Sequence, residues 1–409
     1  MWIILFLLFI ESVISLFLKG FLNNYQGENL ILIYIIINLI VIIYTLYLKI
    51  DNKKIFMILI CGFLIRIIML IYDNYVVQLP FNNVDANAFH HYAVITSENL
   101  PDKMLEFYNG KYTQFLGIVY YIFGPYRIWG HFLNIIFSVL ASLKLVEIFE
   151  MLKIQERNKI LGVGLFTFMP IPILIGYALL RESTIYYCLV VSLYYFIKFI
   201  TENKKINLIF ASVFIYIAGI YHSGLLITIV IYLYYLVFYD THEKKIKKSI
   251  IHNIVVLIAI ILAINYITIN SEKIFETANM KTGGGSAYLT ELNIENPIEF
   301  ILYTPIKAVY LVFSPMPWLI RGGLDGITFL FDALIYFRIF LEVIKNRKYI
   351  DSKIKGVILI FVVNVLVYGM GTLNTGTAIR HRNKFLVFAI VIYIYFLERK
   401  HEENLNRSI

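Results

Sequence analysis

The sequence predicts an all-α, polytopic membrane bundle of about twelve transmembrane helices, and three observations predict it. First, the 409 residues are 60% hydrophobic and only 15% charged, with a mean hydropathy of +0.75. Soluble domains carry about 45–50% apolar and about 25% charged residues, so no soluble core can bury this excess. Second, the apolar residues gather in runs of about 18–20, long enough to cross a bilayer. Third, the basic residues gather in short segments between alternate runs, as cytoplasmic loops require. This pattern excludes a soluble enzyme. The net charge of +9 is spread along membrane flanks, so no nucleic-acid partner is expected. Cys61 and Cys188 both lie inside apolar runs, which argues against a disulfide scaffold or a zinc site.

The crossings fall at 2–18, 30–48, 55–72, 127–149, 160–177, 184–200, 206–220, 223–239, 250–269, 326–343, 355–371 and 385–398. The first has no charged start and no small-residue cleavage site, so it reads as a retained helix. Cytoplasmic loops are marked by Lys49, Lys53 and Lys54; by Lys153, Arg157 and Lys159; and by Lys198, Lys204 and Lys205. Lys244, Lys245, Lys247 and Lys248 mark the next, and Lys345, Arg347, Lys348, Lys353 and Lys355 the last. Arg399 and Lys400 open a basic tail, 399–409, expected to be solvated and partly disordered. An even number of crossings and this charge pattern both put the two termini in the cytoplasm. Residues 1–409 then form one integral membrane domain, with long external loops at 73–126 and 270–325. Aromatic, amphipathic stretches in these loops, such as Met104–Tyr112 and Ile298–Phe313, predict helices on the outer interface.

The ionisable residues outside the cytoplasmic loops are few, and they are the candidates for function. Asp85 follows the third span, with His90 and His91 five and six residues on. A carboxylate at the mouth of a bundle can serve as a general base, with a histidine orienting it or binding phosphate. The plainer alternative has Asp85 as the N-cap of a short helix over 86–93. A metal held by Asp85, His90 and His91 lacks a fourth ligand and a standard spacing. Arg181 heads the sixth span on the side where cations are disfavoured. It can grip a phosphate bidentately or simply pair with Glu182. His222, in a tight external turn, is either a helix-end cap or a phosphate ligand.

The segment Gly376 to Lys384 carries Arg380, His381, Arg382 and Lys384 on the external side. Arg380 and Lys384 share a helix face and repel unless an anion lies between them. That anion is a substrate pyrophosphate or the head groups of anionic lipids. In the second long loop, the glycine run after Lys281 is not a P-loop, because no strand precedes it and no Gly-Lys-Ser/Thr follows. Pro315 and Pro317 fix a bend, Trp318 anchors at the interface, and Arg321 can face the cavity. Arg66 is the outlier within the membrane, expected to reach the cavity mouth or to pair with an acid. Asn134, Pro170 and Pro172 read as packing and kinks. One acid and several cations thus gather on the external side, as a protein handling a lipid-linked phosphate requires.

At this point the chain resembles the GT-C superclass of membrane glycosyltransferases, of the dolichyl-phosphate-mannose and aminoarabinose transferase type. The likeness rests on Arg66-Ile-Ile-Met-Leu followed by external Asp85 and Phe89-His-His-Tyr-Ala93. It rests also on Tyr112-Thr-Gln-Phe-Leu-Gly117, Tyr120-Tyr-Ile-Phe-Gly124 and Asn134, and on Arg181-Glu182 heading a helix. These cover roughly residues 55–240, and each motif is loose. The family acid follows the first span, whereas here two extra helices precede it, and the large soluble C-terminal domain of some relatives is absent. Arg181, Tyr221-His-Ser-Gly224 and the late basic loop resemble instead the Wzy and EpsG-type polysaccharide polymerases.

Either resemblance implies transfer of a sugar or oligosaccharide from a polyprenyl (pyro)phosphate carrier to a glycan or lipid-linked acceptor. The reaction would take place at the outer face of a bacterial inner membrane. Asp85 would be the base. Arg181, Arg380, Arg382 and Lys384 would hold the phosphate, with His222, Arg321, His90 and His91 assisting. No cofactor is implied with certainty, and a divalent metal is left open. The competing class is a transporter or flippase. Transporters often show internal repeats and midplane charges, whereas this sequence shows no clear repeat and puts its charges at the outer edge.

Overall fold

A computed structural model describes residues 2–21, 28–100, 110–240, 286–292 and 296–408, with a few positions between 243 and 254. Among these the chain is almost wholly helical; the β-structure is a two-residue hairpin, β1 (Tyr239–Asp240) with β2 (Lys245–Ile246), and an isolated antiparallel bridge between Ala287 and Asn374. Most of the expected crossing at 250–269, the start of the Met104–Tyr112 stretch and the glycine run after Lys281 lie outside the described residues.

The helices in order are α1 (Trp2–Phe21), α2 (Glu28–Lys49), α3 (Lys53–Tyr75), α4 (Val84–Glu98), α5 (Lys111–Phe123) and α6 (Arg127–Met151). There follow α7 (Glu156–Phe168), α8 (Pro170–Tyr177), α9 (Glu182–Glu202), α10 (Ile206–Tyr221) and α11 (Ile227–Phe238). Beyond the undescribed stretch come α12 (Pro297–Phe313) and α13 (Gly323–Thr328). A π-turn over Phe329–Ala333 joins α13 to α14 (Leu334–Lys345), before α15 (Ser352–Met370), α16 (Thr375–Lys384) and α17 (Leu386–Ser408). Among the described residues five helices are long and apolar enough to cross a membrane: 29–49, α3, α6, α9 and α15. A sixth is counted if α7 and α8, bent by 55° at their junction, form one broken span.

The chain divides into two compact units. The first comprises Met1–Val146, Val163–Phe168 and Pro172–Tyr187; the second comprises Glu147–Gly162, Met169–Ile171 and Cys188–Ile409. In the first unit α1 and α2 are joined by a buried polar pair, Asn38 Nδ2 donating to both carboxylate oxygens of Glu11 at 2.7 and 2.8 Å. α4 packs along α5, where Gly117 lies so close to Thr96 that a Cβ there would stand 2.5 Å from its methyl carbon.

Arg66 departs from expectation. Among the described residues it pairs with no acid; its guanidinium is buried and donates to the carbonyls of Gly62, Thr167 and Pro172 at 2.9, 3.2 and 3.2 Å. The bend between α7 and α8 interrupts the helix hydrogen bonds, and carbonyls so exposed in an apolar interior must find donors. Arg66 supplies them. Gly176 makes room, since a Cβ there would stand 2.5 Å from Arg66 Nε.

In the second unit α12 packs on α15 and α16. Gly369 permits the closest approach, its missing Cβ lying 2.8 Å from the backbone of Ala308. The tail also departs from expectation: α17 continues as helix through Ser408. Its acidic residues are bonded, Glu402 to Arg399 at 2.6 Å, and Glu403 to Lys348, Tyr349 and Arg407. These ties to the 345–350 turn and within the helix give the polar segment a reason to stay helical.

Candidate functional sites in the two units

Asp85 and Arg181 fall in the first unit; His222, Arg321, Arg380, Arg382 and Lys384 fall in the second. Each group is built within its own unit.

In the first unit, Asp85 lies in the first turn of α4 and is exposed. The cap position belongs to Asn83, which makes no side-chain cap bond, so the N-cap reading of Asp85 does not hold. His91 is exposed and turned toward the Tyr92 ring. His90 is half-buried, its Nδ1 2.9 Å from the Tyr120 hydroxyl. Burial, with the nearby charges of Arg127 and His91, holds its imidazole below the usual histidine range. A neutral imidazole is a weak phosphate ligand at pH 7. Arg181 is half-buried at the head of α9, beside a fully buried Glu182. Asn134 donates to the carbonyls of Ala178 and Leu180 at 2.6 and 3.0 Å and so fixes the backbone leading to Arg181.

The structure brings together a second polar group here that the sequence reading passed over. Asp73, at the end of α3, accepts from the Leu79 N–H at 2.6 Å and lies 3.8 Å from His131 Nε2. Arg127 Nε donates to that same His131 nitrogen at 3.2 Å, so His131 Nδ1 donates to the Tyr177 carbonyl at 2.9 Å. Arg127 also reaches Asn87 and the carbonyl of Asn82. The signal was present. Arg127 and His131 are ionisable residues spaced i,i+4 at the start of an apolar run, the pattern that singled out the other candidates.

In the second unit, His222 ends α10 in extended backbone, and its Nδ1 lies 2.8 Å from the Tyr368 hydroxyl. The two rings stack at 4.7 Å. His381 of α16 stands edge-on to both, with centroids 5.0 Å from His222 and 4.9 Å from Tyr368. Its Nδ1 is 3.2 Å from the Thr372 hydroxyl. Lys384 is buried, its ammonium 5.2 Å from the Tyr368 ring. His222, Tyr368, His381 and Lys384 therefore form one cluster. Arg380 is half-buried on the same short helix. α16 ends at Lys384, and cations in a last turn also complement the helix dipole, a local reason for them that the sequence reading did not weigh.

Arg382 is employed differently from the other cations of its helix. It is 2% exposed, donates to the carbonyls of Val312 and Ser314, and lies 5.0 Å over the Tyr336 ring. Its charge also interacts with buried Asp332, in the π-turn. This geometry pins the end of α12 rather than presenting a fork to an anion. Arg321 is exposed and donates to the Ala287 carbonyl at 3.3 Å, and its own backbone N–H donates to Asp325. Beside the Arg382 packing lies an apolar cavity of about 320 Å³, lined by Val309, Tyr336, Phe340, Val362 and Leu366 among others.

Among the described residues no three His, Cys, Asp or Glu side chains come together as a metal site. Compared with known protein families, with curated proteins and with solved structures, the chain matches none.

Proposed function

We propose that the chain is a membrane glycosyltransferase that draws on a polyprenyl (pyro)phosphate-linked sugar at the outer face of a bacterial inner membrane. On this reading it crosses the membrane about twelve times in a GT-C-like arrangement, with both termini cytoplasmic. The observation that carries the proposal is the convergence of His222, Tyr368, His381 and Lys384. Two imidazoles, a phenol and an ammonium offer donors that a departing phosphate needs, in a setting of low dielectric where such donors count most. The apolar cavity in the same unit suits the hydrocarbon of a lipid carrier. Asp85 is the proposed base.

A second reading, the repeat-unit polymerase, is favoured by one feature of the same cluster. It joins the Tyr221-His-Ser-Gly224 turn to the late basic segment, two of the three pieces that carry the polymerase resemblance. The test is donor-dependent transfer by the purified protein, with polyprenyl-pyrophosphate-linked mono- and oligosaccharides as donors. Loss of transfer in His222→Ala and Lys384→Met, with folding retained, is expected. Unchanged transfer in both variants would remove the cluster from the donor site.

A further inference from the structure

A second cavity in the second unit, of about 490 Å³, is lined by Gln155, Arg157, Asn158, Leu161, Arg338, Tyr393, Leu397, Lys400, His401 and Asn404. Three of its walls are distinct pieces of chain. Arg157 sits in the first turn of α7, where the backbone N–H groups and the helix dipole favour an anion. Arg338 projects from α14. Lys400, His401 and Asn404 lie with Tyr393 and Leu397 on one face of α17, at the helical spacing i, i+4, i+7, i+8, i+11.

The charge balance of this cavity is one-sided. Its lining holds two arginines, a lysine and a histidine, and no acid. Among the described residues none of these four side chains makes a hydrogen bond or ion pair with protein. The acids nearby are committed elsewhere. Glu398 accepts from the Gln155 N–H at 3.1 Å and from Asn158 Nδ2 at 2.8 Å, an arrangement that braces the start of α7. Glu156 pairs with Lys159, and Glu402 with Arg399. Glu403 is bonded to Lys348, Tyr349 and Arg407. The tail helix thus neutralises its other cations and leaves Lys400 and His401 facing the cavity. Arg157, Arg338 and Lys400 are exposed and His401 is half-buried, so water screens their repulsion, and an anion entering among them would meet several donors at once.

We infer that this cavity is a binding site for a phosphate-bearing anion, gripped by Arg157, Arg338 and Lys400 with His401 at its edge. The planar forks of two arginines suit phosphate oxygens. Gln155, Asn158 and Asn404 add amide donors, and Leu161 and Leu397 provide an apolar wall. Two sources share this chemistry: the head group of an anionic lipid, and a soluble phosphate or pyrophosphate. The site is separate from the His222 cluster. Lys384 closes α16 just before α17 begins, and Lys400 lies about 20 Å farther along that helix at 1.5 Å per residue. On the topology proposed above it faces the cytoplasm, where basic pockets between helices collect anionic head groups.

The experiment uses full-length protein in two settings. In detergent it is titrated calorimetrically with inorganic pyrophosphate. In phosphatidylcholine nanodiscs, with and without phosphatidylglycerol, its thermal unfolding is followed. Arg157→Gln with Arg338→Gln removes both forks. Leu397→Trp fills the cavity and leaves every cation in place. Lys204→Gln with Lys205→Gln removes the same charge from a loop outside the cavity. At least one probe is expected to bind the wild type. Both cavity variants should weaken that binding about tenfold or more, and the loop variant should not. Pyrophosphate binding identifies a soluble ligand; stabilisation by phosphatidylglycerol alone identifies a lipid head group. Should the arginine pair be needed for folding, Leu397→Trp still decides. No binding of either probe, or equal losses in the loop variant, overturns the inference.

Discussion

The His222 and His381 imidazoles meet edge to face at 5.0 Å, although one ends α10 and the other lies in α16. Tyr368 joins them, stacked on the first and edge-on to the second. Groups that share a partner in this way act as a unit, so their contributions should not add. We expect His222→Ala and His381→Ala each to weaken donor use, and the double variant to lose much less than the sum. The coupling energy, from a double-mutant cycle on donor binding, should fall in the range of about 0.5–3 kcal/mol. Strict additivity would mean that the two rings serve different ends.

Arg382 yields a different expectation. Its Nη1 donates to the carbonyls at the end of α12, and its plane covers Tyr336. Lysine keeps the charge but has neither the fork nor the flat face. Arg382→Lys should therefore cost about 1.5–3 kcal/mol of stability. Donor affinity of the folded fraction should stay unchanged. Thermal unfolding beside donor titration measures both; a stable protein with weakened donor binding would return Arg382 to the phosphate site.

Hydropathy runs and loop charge made the helical class legible, because the bilayer imposes both on sequence directly. Which polar residues meet was less legible, because partners come from distant segments. Arg66 announced itself as an intramembrane cation, yet its partners are carbonyls at a bend. A sequence shows the prolines of such a bend but not the donor that answers it. Asp73 opens the expected external loop 73–126 with nothing in the sequence to single it out, and its link to Arg127 and His131 depends on how α3 and α6 pack. The helical tail was missed for a local reason. Its composition is polar, and only the pairing of Glu402 and Glu403 with Arg399, Lys348 and Arg407 shows why it holds.

The two acids of the first unit can be told apart. Asp85 is exposed in a first helical turn, so Asp85→Asn should change stability by no more than about 0.5 kcal/mol. If it is the base, transfer should fall about 10²–10⁴-fold in a protein that unfolds normally. Asp73 is buried, accepts a backbone N–H and faces Arg127. Asp73→Asn should destabilise by about 1–3 kcal/mol, because it weakens a charged hydrogen bond and leaves the half-buried Arg127 less balanced. Full transfer by Asp85→Asn would count against Asp85 as base.

His90 gives a pH dependence on the acid side. Its folded pKa is held below the ordinary 6.5, chiefly by burial and then by Arg127 and His91. The unfolded chain therefore binds the proton more readily. The stability His90 contributes is fully present above about pH 6.5 and is lost as pH falls through the folded value. His90→Gln keeps a polar group within reach of Tyr120 but cannot titrate. The acid-side fall in Tm should be shallower in this variant than in the wild type. Parallel curves would show that His90 does not titrate differently on folding.

Lys307 gives the opposite window. It is fully buried in α12, and its ammonium has no hydrogen-bond partner among the described residues; the Phe300 ring centroid lies 5.6 Å away. Burial pushes its pKa down from 10.5 to about 8. Below pH 8 the folded protein carries a buried charge at full cost. Between about pH 8 and 10.5 the folded state has released the proton while the unfolded chain still holds it, so stability rises with pH across that interval. Methionine matches the length of the lysine stem and carries no charge. Lys307→Met should therefore raise Tm by several degrees at pH 7, and the advantage should shrink steadily toward pH 10. Unfolding followed across that range measures it. If Lys307→Met is instead less stable at pH 7, the ammonium is neutralised by a bound anion, and the cost assigned to its burial here is wrong.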